Sequence, residues 1–339
     1  MKNYIPTKGM SERDWLRHRK DGIGGSDCSA VLGFNKYRTP IDIWIDKTNP
    51  DMIQNITNTS MEIGHLAEQS VVKPLFMKQE DKKVIEDHKI RIHPDHSVLR
   101  GNLDGIVCDY GHGPGVWEGK TILDRVLDSE KGMYPVAYYL QCQHNMMVSG
   151  YDFAWLSMWI KDRDTVVNHY IERNDKLIEE IKERELYFWD EYVLQNNCPP
   201  AMNDEDIKKI FPESKPTKVE ATPQIVEDYM NLHSIRDEIS DLKDQKEMLE
   251  FNIKEHMQDA ELLEYNGEIL CSHKTSHTFD EDSFMNDNPD VAKEFTETEE
   301  KLDTKKLRSS RKSLYDAYKT KPRSRTFRLR KPKGELANE

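Results

Sequence analysis

Asp104 and the triplet Glu118-Gly119-Lys120 are the residues of this chain best suited to chemistry. They stand in G-N-L-D-G-I-V and V-W-E-G-K-T, two short apolar runs separated by Tyr110-Gly111-His112-Gly113-Pro114-Gly115. That pattern predicts two strands joined by a hairpin turn. Side chains alternate along a strand, so Glu118 and Lys120 share a face, and Gly119 points away while still offering its carbonyl. Two carboxylates and a carbonyl oxygen make a hard ligand set suited to Mg²⁺, with Mn²⁺ as a substitute. A lysine beside them can hold an attacking water or a phosphate, and the set is what metal-dependent phosphodiester cleavage requires. A chain in which 33% of residues are charged also produces such triplets on solvated strands, so the company these residues keep has to decide.

The elements that must position them read as an α/β or α+β core over residues 1–200. Ser11 opens a short helix ending near Lys20, with Asp14 completing a capping-box-like start. Ser26 is expected to cap a second helix, Asp27 to Leu32, stopped by Gly33. Thr39-Pro40 opens a third, with proline at the first helical position. A longer helix is expected from about Thr59 to Met77, carrying Glu62, His65 and Glu68. Strands follow within Lys83 to Val107 and Val116 to Leu123. Tyr134 to Ser149 reads as a helix bearing Gln141, Gln143 and His144. Phe153 to Ile160 and Val166 to Ile171 read as strands, and Asp175 to Leu194 as a charged amphipathic helix. Phe153, Trp155 and Trp159 alternate along their strand, as core residues do. His65 and His144 are single histidines, a pattern that fits hydrogen-bonded fillers. Cys198-Pro199-Pro200 marks a boundary, with 201–221 as a linker.

The stretch Arg19-Lys20-Asp21-Gly22-Ile23-Gly24-Gly25-Ser26 joins basic residues to a glycine-rich turn and a helix N-terminus. Backbone N–H groups, the Ser26 hydroxyl and the Arg19 guanidinium there suit a phosphate, although an ordinary helix cap has the same composition.

Residues 222–339 form a different region. From Thr222-Pro223, the residues Ile225, Leu232, Ile239 and Ile253 recur at sevens, with Lys246 interrupting and Ile235, Leu242 and Leu249 between them. That is a coiled-coil seam over 222–258, able to pair with a partner or with its own protein. Asn266-Gly267 predicts a hairpin turn, followed by a strand over Glu268 to Ser276, and Thr326 to Leu329 offers a late strand. An acidic stretch, Phe279 to Glu300, has a net charge of −8 and is expected to be a loop. Lys301 to Gly334 has a net charge of +12 in a chain of net −13. Such segregation fits a DNA-facing basic element, or two stretches that neutralise each other. The five cysteines are scattered without a C-x-x-C, which argues against structural zinc and against a disulfide framework. No apolar run approaches a membrane span and no signal-peptide pattern opens the chain. A cytoplasmic protein is the expectation.

The motifs W-L-x-x-R-x-x-G-I-G-G-S-D, G-H-L-A-E-Q, G-N-L-D-G, W-E-G-K and Y-Y-L-Q-C-Q-H occur in this order between Trp15 and Trp159. In that order the chain resembles the YqaJ-type viral recombinases, the alkaline exonuclease family of phage lambda, within the PD-(D/E)xK nucleases. The resemblance implies a restriction-endonuclease-like mixed sheet flanked by helices, here with a C-terminal coiled-coil and β extension. It implies a Mg²⁺-dependent exonuclease that degrades one strand of linear duplex DNA 5′→3′ and leaves the 3′ strand for a single-strand annealing partner. By this resemblance Asp104, Glu118 and the Gly119 carbonyl hold the metal, Lys120 orients the nucleophile, and Glu68 and Gln141 complete the active site. Arg19 and Ser26 hold the terminal 5′-phosphate. Asn102 stands where the lambda-like enzyme has a serine that faces phosphate. Family members form rings, so a homo-oligomer on DNA is implied. Two other functions share parts of the pattern: a structure-selective endonuclease of the same fold, and a non-catalytic DNA-binding scaffold assembled by the heptads. An iron–sulfur nuclease of the Cas4 kind lacks its cysteines here.

Overall fold

The structure, a computed structural model, describes residues 3–49, 59–109, 111–128, 133–276, 279–294 and 302–318. The chain divides into two units, Met1–Ile210 and Phe211–Glu339.

In the first unit, β1 (Tyr4–Pro6) precedes α1 (Glu12–Lys20), whose Ser11 cap accepts the Asp14 N–H at 3.1 Å. Then come α2 (Gly25–Val31) and α3 (Pro40–Thr48). The cap of α2 differs from expectation. Gly24 takes the N-cap position, Ser26 lies inside the first turn, and the Asp27 carboxylate reaches back to the Gly24 N–H at 3.3 Å. Asp27 does this because it is buried and fixed by Lys47 at 2.8 Å and Arg38 at 3.0 Å. Gly33 ends the helix at φ +80°, a left-handed conformation that favours glycine.

The expected helix from Thr59 is a rod in three parts: α4 (Thr59–Ala67), a π-helical turn over Glu68–Val72, and α5 (Lys73–Glu80). Such π turns accommodate an extra residue and re-aim side chains, often at functional sites. After β2 (Lys83–Ile85), β3 (Lys89–Ile92) and β4 (Arg100–Gly101) come the hairpin strands β5 (Gly105–Asp109) and β6 (Gly113–Ile122). Tyr110 of the expected turn lies outside the described residues. A short α6 (Arg125–Asp128) leads to α7 (Val136–Ser149), then β7 (Phe153–Ile160), β8 (Thr165–Glu172) and α8 (Asp175–Phe188), which runs into a π turn at Trp189–Leu194. The last element, α9 (Asp204–Ile210), falls within the stretch read as a linker. Its buried Asp206 accepts from Thr39 Oγ1 at 2.8 Å.

Five strands form a mixed sheet in the order β2-β5-β6-β7-β8, with β6 and β7 parallel and the other pairs antiparallel. Alternation sorts its side chains to two faces. Ile106, Val116, Leu156 and Met158 pack with Leu140, Met146, Ile178 and Ile181 of α7 and α8. Val107, Trp117 and Phe153 pack with Val72 and Phe76 of the rod, and Trp155 and Trp159 join this cluster, so the aromatic stripe is core. The sheet is therefore a middle layer covered by helices on both faces.

In the second unit, α10 (Pro223–Met257) is a single helix of 35 residues, capped by Thr222 Oγ1. A hairpin pairs β9 (Leu262–Tyr265) with β10 (Glu268–Ser272). Its turn residues Asn266 and Gly267 both have positive φ, the type I′ geometry that the Asn-Gly pair favours. The acidic stretch is not wholly a loop. Asp280 caps a helical turn over Glu281–Asp287, and Pro289–Glu294 forms another. The late strand at Thr326 to Leu329 and most of the basic tail lie outside the described residues. Among those described, no helix is long and apolar enough to cross a membrane.

Candidate active site

The site forms where paired strands part. β5 pairs with β6 only as far as Gly105 opposite Trp117, while β6 continues to Ile122 against β7 alone. Among the described residues, one edge of β6 therefore lacks a strand partner from Glu118 onward. Asp104, just before β5, fills that edge: its carboxylate accepts the Gly119 N–H at 3.1 Å. In an extended strand the N–H and C=O of one residue leave on the same edge, so the Gly119 carbonyl faces the Asp104 side.

Glu118 and Lys120 share a face as expected, with Oε1 and Nζ 2.5 Å apart. Gln141 of α7 donates to the same Oε1 at 2.5 Å. Asn145, one helical turn further, donates to Oε2 at 3.0 Å. Glu118 itself is fully buried. Burial and the neighbouring Asp104 charge push its carboxyl up to about 8, against the pull of Lys120. Burial alone would lower the Lys120 ammonium, but Glu118, Asp104 and Glu68 together hold it well above the usual lysine range. Lys120 thus stays a cation, and its Nζ lies 5.7 Å from the centre of the Tyr138 ring.

Glu68 comes from the π turn on the opposite face of the sheet. A Cβ placed on Gly119 would stand 3.3 Å from Glu68 Cγ and 2.8 Å from Trp117 Cη2. Gly119 is small for a reason: it lets Glu68 lie against the strand. His65 pairs with Glu68 at 3.3 Å, and that bond raises its imidazole above the ordinary value. Gly64, one turn earlier, faces open space. Carboxylates from three elements with no sulfur or imidazole directly on Glu118 or Asp104 form a donor set that fits a hard divalent cation. Asp104 and Glu118 are the residues that would hold it, with the Gly119 carbonyl on the same side. Glu118 Oε1 accepts from both Lys120 and Gln141, whereas Oε2 accepts from Asn145 and keeps a lone pair for a cation.

The turn before α2 lies beside this site. Arg19 Nη2 donates to Ser26 Oγ at 3.1 Å, and the guanidinium stacks over Trp15 at 5.0 Å. Burial alone would raise the Asp27 carboxyl, but Lys47, Arg19 and Arg38 hold it well below the usual range. Ser26 is exposed and Arg19 is half-buried, so the hydroxyl is open to a ligand beside the guanidinium. Asn102 is exposed on the turn between β4 and Asp104.

The sequence reading missed Asn145. It is fully buried between the two groups of site residues: a Cβ on Gly25 would meet its Oδ1 at 2.5 Å, and one on Gly101 at 3.2 Å. Among the described residues, that Oδ1 has no hydrogen-bond partner. The signal was the spacing Gln141-x-x-x-Asn145, which places two amides on one helix face. The network of buried Asp27 with Lys47 and Arg38 was missed as well, since ion pairs between residues 11 and 20 positions apart leave no local pattern. His144, a filler as expected, bonds Glu185 at 2.9 Å and the Arg100 carbonyl at 2.8 Å. With Cys28 it forms a cluster of potential metal ligands. Both imidazole nitrogens are already engaged and burial pushes the Cys28 thiol well up, so the cluster is a structural link between α2, α7 and α8.

Residues 14–152 match the YqaJ-like viral recombinase domain. The uncharacterized protein YqaJ of Bacillus subtilis (strain 168) is 32% identical over 260 residues, which cover 74% of this chain and 80% of that protein. This chain belongs to the YqaJ-like viral recombinase family. The family match spans Arg19, Ser26, Glu68, Asp104, Glu118, Lys120, Gln141 and Asn145. Among solved structures, an alkaline exonuclease (LHK-Exo) from Laribacter hongkongensis is 20% identical with a TM-score of 0.45, covering 54% of this chain and 93% of that one. A phage-related exonuclease from Haemophilus somnus 129PT is 13% identical with a TM-score of 0.41, covering 52% and 95%.

Proposed function

We propose that this YqaJ-family chain is a metal-dependent deoxyribonuclease acting as a 5′→3′ exonuclease on linear duplex DNA. The observation that carries the reading is the convergence of Asp104, Glu118, Lys120 and Gln141 at the unpaired edge of β6. Asp104 and Glu118 hold Mg²⁺, with Mn²⁺ as a substitute. When bound, the ion supplies Lewis-acid polarisation of a phosphate and a lower pKa for water. Lys120, kept protonated by its carboxylates, is unsuited to take a proton. It places positive charge against the reacting phosphate oxygens, where preorganised charge is most effective. Gln141 and Asn145 hold the Glu118 carboxylate in one orientation. Arg19 and Ser26 take a terminal 5′-phosphate, which suits the planar, two-pronged donor of arginine. A doubly charged end fits this pair better than an internal diester does, and that preference sets polarity. The 3′ strand left behind is the substrate of a single-strand annealing partner, the step that fits a recombinase family, in the cytoplasm of a bacterial host.

The reading is tested with end-labelled linear duplex and closed circular DNA, each with Mg²⁺ or with EDTA. Loss of the linear form alone, in Mg²⁺ alone, is the expected result. Nicked circles would make the protein an endonuclease of the same chemistry. DNA binding without cleavage would make it a scaffold.

A further inference from the structure

One strongly charged segment has no part in the nuclease reading. Lys301 to Gly334 has a net charge of +12 in a chain of net −13, so all other residues together are net −25. The described part of the segment holds two short helices, Thr304–Ser310 and Lys312–Ala317. The Asp303 carboxylate caps the first by accepting the Lys306 N–H at 2.8 Å. Leu307 and Tyr315 are half-buried, and the Arg308 guanidinium lies 5.9 Å from the centre of the Tyr315 ring. Lys305, Lys306, Arg308, Arg311 and Lys312 are all exposed. Among the described residues none of these five cations pairs with a carboxylate, so the acidic stretch before them does not neutralise them there. From Lys319 to Gly334 the sequence adds eight cations and no acid.

We propose that Lys301 to Gly334 is a second DNA-binding element, distinct from the residues of the cleavage site, and that it holds single-stranded DNA. Unpaired cations at this density call for a polyanion, since each phosphate they neutralise releases counterions condensed on the nucleic acid. The net −25 elsewhere repels the same polyanion, so capture falls to this segment. Aromatic rings decide between a strand and a duplex. Tyr315, Tyr318 and Phe327 are interleaved with the cations, and Tyr318 is 82% exposed. A duplex keeps its bases stacked inside and offers these rings nothing, whereas every base of a single strand presents a face to stack on. The reaction proposed above frees such a strand as its complement is degraded.

The test measures binding by the full chain in EDTA, so its failure and that of the nuclease reading are distinguishable. Fluorescence anisotropy follows a labelled thymidine oligonucleotide, a duplex of the same length and a uridine oligonucleotide. One variant replaces Lys305, Lys306, Arg308, Arg311 and Lys312 with Gln, and another is Tyr318→Ala. All six side chains are exposed, so neither variant removes a core contact, and thermal melts should match the wild type. The salt slope of thymidine binding should fall by up to about 3.5 in the Gln variant, at roughly 0.7 per phosphate contact. Tyr318→Ala should weaken thymidine binding about 5–150-fold and leave duplex binding and its salt slope unchanged. Unchanged affinity and slope in the Gln variant would overturn the proposal and leave a solvated charge run. Equal losses on strand and duplex in Tyr318→Ala, or no loss on either, would overturn the single-strand assignment. Tighter binding of the uridine oligonucleotide would overturn it as well, and make the partner RNA.

Discussion

Replacing Asn145 with alanine tests how the Glu118 carboxylate is held. The amide donates to Glu118 Oε2 at 3.0 Å in a fully buried setting, and its own Oδ1 has no partner among the described residues. The substitution therefore removes one charge-assisted hydrogen bond and orphans nothing on the other side of the amide. A hydrogen bond to a charged group contributes about 1.5–3 kcal/mol. Glu118 has a carboxyl raised to about 8 in the metal-free protein, so near neutral pH the metal must first displace a proton from it. Losing the donor that favours the ionised form makes that step costlier by the same amount. Mg²⁺ affinity should fall roughly 10–100-fold, the range found when residues supporting metal ligands are removed. Because the effect acts through ionisation, the loss should be largest below about pH 8 and narrow above it. Calorimetric titration with Mg²⁺ across this pH range measures both, and turnover at saturating Mg²⁺ should recover in large part. Unchanged affinity, or a loss independent of pH, would show that Asn145 only fills space between α7 and the Gly25 turn.

Three further outcomes follow from the same geometry. Lys120→Ala should cut turnover at saturating metal by roughly 100–1000-fold while Mg²⁺ affinity changes far less, which rate and calorimetric measurements separate. Arg19→Ala should erase most of the preference for 5′-phosphorylated over 5′-hydroxyl duplex, a loss of roughly 10–100-fold in relative initial rate, and spare basal cleavage. The pH dependence has a definite sign. Glu118 carries a folded-state value of about 8 against an ordinary 4.5, so the folded metal-free protein retains a proton that the unfolded chain has released. Its stability should decline as pH rises from about 4.5 to about 8, and Mg²⁺ affinity should rise over the upper part of that window and level off beyond it. Thermal melts and Mg²⁺ titrations should both lose this slope in Glu118→Gln.

What was legible in the sequence was whatever short-range pattern encodes. The alternation in V-W-E-G-K-T placed Glu118 and Lys120 on one face, Asn266-Gly267 marked a turn, and Thr39-Pro40 marked a helix start, because each depends on neighbours a few residues apart. The cap of α2 was misread because Ser26 is a good capping residue locally, whereas the buried ion pairs of Asp27 with Lys47 and Arg38 fix a different residue at the turn. Continuous helix was expected through Glu68, since the extra residue of a π turn leaves the apolar spacing nearly unchanged. The role of Gly119 in admitting Glu68 was invisible because it joins a strand to a helix on the far face of the sheet. Asn145 was overlooked beside Gln141 because a buried amide with one partner looks, in sequence, like any polar helix residue.

The central claim is that Asp104 and Glu118 hold the metal that cleaves DNA. The most direct measurement compares wild type, Asp104→Asn and Glu118→Gln for Mg²⁺-dependent release of nucleotides from 5′-phosphorylated linear duplex, with Mg²⁺ binding followed on the same preparations. The account predicts release by the wild type alone, abolished by EDTA, and weakened Mg²⁺ binding in both variants while their folds persist. Nucleotide release at the wild-type rate by either variant would contradict it.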